Sequence, residues 1–170
     1  LASGSGSNAE KIMEYFKDSA KARVNLIASN NKDAYVLERA QKFNVPTFTF
    51  TKSDLEIGLL GEKLLSLEID LVILAGFLLK IPDNLIQSFP EKIVNIHPAL
   101  LPKFGGKGMY GMHVHEAVKS AGEKETGITI HLVNENYDEG KVIFQAAVEV
   151  LEKDSPKEIA DKVHELEHKY

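Results

Sequence analysis

The run DLVILAG, Asp70 to Gly76, constrains the fold of this chain most. Leu71 to Ala75 are all apolar, so a strand here would leave no face for water. Such strands lie inside parallel sheets that carry helices on both sides. The flanking segments agree. RVNLIAS (Arg23–Ser29), TFTF (Thr47–Phe50) and KIVNIH (Lys92–His97) read as further strands. Helical patterns alternate with them. One covers Asp33–Phe43, with Asn44 as a left-handed terminator. Another, capped by Ser53 or Asp54, runs to about Leu67, and a short one starts at Pro82. After a helical stretch at His113–Gly122, GITIHLVN (Gly127–Asn134) and KVIFQAAVEV (Lys141–Val150) read as an antiparallel hairpin. Ser155, Pro156 and Glu158 spell a capping box for the last helix. The expected fold is α/β and Rossmann-like: a mostly parallel twisted sheet, helices on both faces and an antiparallel C-terminal hairpin.

The 170 residues predict a single domain, 1–170. Leu1 falls inside a strand pattern and Tyr170 inside a helical one, so both ends read as trimmed. No apolar run approaches the ~20 residues of a membrane span. The net charge of −5 disfavours nucleic acid as a partner. With no cysteine, thiol nucleophiles and thiolate metal sites are excluded, and a reducing compartment is expected.

In sheets of this class ligands sit beyond the carboxyl ends of the strands. That rule selects Ser3–Asn8, Gly76–Lys80, Asn95–Phe104 and the Tyr137–Gly140 loop. LASGSGSN (Leu1–Asn8) is a Gly/Ser turn that opens a helix with apolar Ile12, Met13, Tyr15 and Phe16. Its free N–H groups could cradle a phosphate, or the stretch could be a plain flexible turn. VNIHP is more specific. Strand alternation puts Asn95 and His97 on one side, and Pro98 holds His97 extended. Two donors aimed at one point could stabilise an oxyanion. The alternative is a buried, hydrogen-bonded histidine at a strand end. Asp138 in YDEG could raise the pKa of a nearby histidine and relay protons, or serve as ordinary turn chemistry.

Two histidine pairs invite a metal reading. HELEH (His164–His168) matches a zinc-protease pattern, but Ile159, Val163, Leu166 and Tyr170 form the core stripe and leave both histidines facing solvent. A third ligand is also missing. His113 and His115 splay apart on a helix and read as surface or hydrogen-bonded residues. No metal is expected.

Taken in order, ASGSGSN, LAGFLLKIP, VNIHPALLPKFGGKG, TGITIHLV and YDEGKVIFQ resemble the phosphoribosylglycinamide formyltransferases over essentially the whole chain. NIHPALLP marks the wider folate formyltransferase superfamily, and SGSGSN narrows the match. The resemblance implies transfer of a formyl group from 10-formyltetrahydrofolate, as co-substrate, to glycinamide ribonucleotide in purine synthesis. It implies a catalytic trio of Asn95, His97 and Asp138, with protonated His97 as one oxyanion donor. It places the ribonucleotide on Gly6, Ser7, Asn8 and Glu167. It places the folate along Leu78, Leu79, Lys80 and Ile81, with Asn95, Tyr137 and Asp138. Ala99 stands where the family usually has Ser, outside the trio. A cytoplasmic enzyme, monomer or homodimer, is the expectation. A hydrolase of the formyl folate, a tRNA formyltransferase and a non-enzymatic ligand sensor are the competing readings.

Overall fold

The computed structural model describes all 170 residues. The chain forms two compact units, Leu1–Ile93 and Val94–Tyr170.

In the first unit, extended residues Leu1–Ser3 lead into α1 (Ser7–Phe16). Then follow β1 (Ile27–Ser29), α2 (Tyr35–Lys42), β2 (Thr47–Thr49), α3 (Lys52–Glu56), α4 (Leu59–Ser66), β3 (Val72–Leu74) and α5 (Asp83–Ser88). β1 and β2 pair in parallel, Ile27 opposite Thr47. Leu1–Ser3 lies between β1 and β3. Ala2 N–H donates to the Ala28 carbonyl, and Ala75 N–H to the Leu1 carbonyl. Apolar residues at helical spacing on α1, Ala9 and Met13, meet Ala2, Ile27, Val36, Ala40 and Ala75 in one buried cluster.

Two expectations change here. The helix expected up to Leu67 is two helices. Thr51, not Ser53 or Asp54, caps the first, because its hydroxyl accepts the Asp54 N–H while the Asp54 carboxylate accepts the Thr51 N–H. Gly58, at φ 92°, then ends the first helix and starts the second. The first strand is also shorter than Arg23–Ser29. Residues 23–26 line an open cavity of about 670 Å³ opposite Asp70 and Leu71, where no ladder forms. Asn44 does take the left-handed conformation, at φ 55°.

In the second unit, β4 (Ile93–His97) is followed by α6 (Met112–Ser120), β5 (Glu125–Leu132), β6 (Val142–Glu149) and α7 (Pro156–Lys169). β5 pairs antiparallel with β6, as expected, and also with β4. His97 faces Thr129 and Val94 faces Leu132, so loop 98–111 and α6 leave and return at the same end of β4. No crossover is made, and the antiparallel part spans three strands. Gly127 lets the strands close up, since a Cβ there would enter the Ala146 carbonyl. Ser155 caps α7 through the expected box with Glu158. Its buried face carries Ile159 and Val163, and Ile159 clusters with Val118 and Val150. Tyr170 leaves the stripe: it is exposed and packs on the Phe144 ring.

Candidate active site

The second unit gathers a polar cluster at the end of β4. Asn95 and His97 alternate along the strand, so both point to one face. Register places His131 of β5 directly opposite Asn95, and paired residues share a face. Asp138 arrives from the β5–β6 loop with φ 56°.

Hydrogen bonds assign protons. His97 Nε2 lies 2.8 Å from the Phe104 carbonyl. A carbonyl only accepts, so Nε2 carries the proton and donates it. Nδ1 is left as the lone-pair nitrogen, 3.6 Å from Asp138 Oδ2. The same logic applies to His131. Its Nδ1 donates to the Leu132 carbonyl at 2.9 Å. With its proton on Nδ1, the His131 ring offers Nε2 as the acceptor for the Asn95 amide, 3.1 Å away. That bond orients the Asn95 side chain and uses one of its two N–H groups. Asp138 accepts the Gly106 N–H at 2.8 Å and has His131 Nε2 at 3.5 Å.

Electrostatics bear on the charge of His97. His97 is 3% exposed, and burial pushes its pKa below the ordinary value. The Asp138 carboxylate and the Phe104 carbonyl pull it back up without reversing the shift. The balance favours the neutral imidazole in the resting protein. Burial would raise the Asp138 carboxyl, but the neighbouring His131 and His97 side chains and the Gly106 N–H together hold it below its ordinary value. Glu167 also acts on this cluster, since its charge supports the protonated form of both His97 and His115.

The paired histidines differ from expectation. His115 is buried, and its Nδ1 has no hydrogen-bond partner, because α6 turns that side inward while His113 stays outside. His164 is half-exposed and donates to Glu167 Oε2 at 2.9 Å. His168 is half-buried against the His164 ring, not open to solvent. No group of three His, Cys, Asp or Glu side chains is placed to hold a metal ion.

The first unit holds the other candidates. Gly6 turns the chain at φ 70°, and the following α1 presents the first N–H groups of Ser7 and Asn8 at its positive end. Asn8 Oδ1 is buried without a partner. The turn is braced from α2, where Val36 N–H donates to the Gly4 carbonyl and Arg39 Nε to the Ser5 carbonyl. Arg39 also pairs with Glu10. Ser3 Oγ accepts from Leu78 N–H at 3.0 Å, which brings the Leu78–Ile81 segment beside this turn. Leu78 is exposed and Ile81 buried. Tyr137, in the second unit, is exposed.

Reading motifs alone misses His131, Phe104 and Gly106. His131 had a signal: with Thr129 it forms a period-two polar series inside an apolar strand. The two backbone groups had none.

The chain matches the formyl transferase family model over residues 1–170. It is 39% identical to the phosphoribosylglycinamide formyltransferase of Bacillus subtilis, across 100% of this chain and 88% of that protein.

The chain belongs to the formyl transferase family.

The relatives carry the name that the motifs implied. A chloroplastic phosphoribosylglycinamide formyltransferase of Arabidopsis thaliana is 45% identical over 98% of this chain. The chain spans 60% of that relative's length, and 55% of its counterpart from Vigna unguiculata. Among solved structures, glycinamide ribonucleotide transformylase 1 from Symbiobacterium toebii superposes with a TM-score of 0.91 at 34% identity, covering 99% of this chain and 80% of that one. The α/β formyl transferase fold is therefore shared. No helix is long and apolar enough to cross a membrane.

Proposed function

We propose that this formyl transferase moves the formyl group of 10-formyltetrahydrofolate to the amine of glycinamide ribonucleotide. The observation that carries this reading is His97. Its Nε2 proton is committed to Phe104, and its Nδ1 faces Asp138 beside the Asn95 amide.

The residue chemistry follows. As the amine bonds to the formyl carbon, the carbonyl oxygen gains negative charge. The Asn95 N–H not used by His131 donates to that oxygen. Neutral His97 takes the proton released by the amine at Nδ1, and the imidazolium then sits beside Asp138 and donates to the oxyanion. The proton passes to the folate nitrogen as its bond to carbon breaks. One oxyanion donor of this kind contributes about 10²–10³-fold in turnover. Gly6, Ser7 and Asn8 would hold the ribonucleotide phosphate, and Glu167 its ribose hydroxyls. Leu78, Leu79, Lys80, Ile81 and Tyr137 would line the folate. A cysteine-free chain suits the reducing cytoplasm.

Mixing the protein with 10-formyl-dideazafolate and glycinamide ribonucleotide tests this, with the deformylated product followed by absorbance. Turnover that requires the ribonucleotide is expected. Deformylation without it would favour a hydrolase, and no turnover at all would overturn the transferase reading.

A further inference from the structure

His97 is one end of a row that crosses three strands. It faces Thr129 on β5, and Thr129 faces Gln145 on β6. Directly paired residues share a face, so the three side chains stand side by side. Loop 98–111 lies over this row and is tied to each member. The Thr129 hydroxyl donates to the Ala99 carbonyl at 2.7 Å and accepts the Leu101 N–H at 3.0 Å. Gln145 Nε2 donates to the Leu101 carbonyl at 3.0 Å and to Thr129 Oγ1 at 2.9 Å. His97 Nε2 donates to the Phe104 carbonyl.

We propose that Gln145 is a positioning residue for His97. It acts through Thr129 and the loop, and it has no need to touch substrate. Thr129 is fully buried, so each bond it makes is strong and each bond it loses leaves a buried polar group unpaired. With Leu101 held at both its N–H and its carbonyl, the next three residues reach Phe104 in one conformation. The Phe104 carbonyl then sits against Nε2 and keeps the proton there. Without Gln145, the Leu101 carbonyl and one Thr129 lone pair lose their donor. The loop can shift, and the proton can move to Nδ1. An Nδ1–H imidazole cannot accept the amine proton at the atom that faces Asp138.

This rests on the reading of His97 as the group that moves a proton, but its test does not need turnover. Gln145→Met keeps the length and removes both donors. In ¹⁵N-labelled protein, two-bond ¹H–¹⁵N spectra report which ring nitrogen of each of the six histidines carries the proton. His97→Gln assigns the signal. The unchanged protein should show His97 with its proton on Nε2, and Gln145→Met a mixture with a substantial Nδ1–H share. In parallel, kcat should fall by about tenfold, a fraction of what general acid–base catalysis supplies. KM for both substrates should stay within about twofold. An unchanged His97 tautomer overturns the proposal, whatever happens to kcat. If circular dichroism shows that Gln145→Met does not fold, the pair Thr129→Val and Thr129→Ser decides. Val should release the tautomer and Ser should restore it; equal tautomers in the two would overturn the proposal.

Discussion

His97 Nδ1 and Asp138 Oδ2 lie 3.6 Å apart, close enough for charge to act and too far for a short hydrogen bond. Burial holds the imidazole below its ordinary pKa against the pull of the carboxylate, which itself stays in its ionised form.

Removing that carboxylate should move His97 further down. Asp138→Asn deletes the charge that raises the imidazole, while the burial that lowers it remains. An NMR titration of His97 should therefore find a midpoint below 6.5 in the unchanged protein and a lower one in the variant. A midpoint that rises in Asp138→Asn would sink this account of the pair.

Gly6→Ala should damage the turn that opens α1 twice. The backbone is left-handed there, and a Cβ would land inside the Val36 side chain. Strain and overpacking of this kind cost about 1–3 kcal/mol each. Denaturant unfolding should show that loss, and KM for the ribonucleotide should rise more than KM for the folate. Equal changes in the two KM values would argue against a phosphate role for the turn.

Ser155→Ala removes one half of the box that starts α7. About 1 kcal/mol of stability should go with it. Activity should fall only as far as Glu167, three turns along the same helix, is disturbed. A thermal melt at neutral pH gives the stability directly, and an unchanged midpoint would mean the cap contributes nothing.

Much of this was legible in the sequence because it is local. Period-two and period-3.6 patterns depend on neighbouring residues. They were enough for the strand–helix order, the common side of Asn95 and His97, the Ser155 box and the left-handed Asn44. Motif order was enough for the family. The helix break at Gly58 was equally local, but the pattern on both sides continues through it, so periodicity hid the stop.

Other features depend on pairings between distant residues, and only the tertiary structure decided them. His131 meets Asn95 across 36 positions because β5 pairs with β4 in one register; a shift by one residue would send it to the other face. The proton on His97 Nε2 is set by a backbone carbonyl, which no residue type encodes. The charge of His97 is set by a balance between burial and Asp138, and burial exists only once the chain has packed. The sequence by itself determined which groups could do the chemistry. Packing decided which of them meet, and in what protonation state, because register, burial and hydrogen-bond partners come from contacts between residues far apart in the chain.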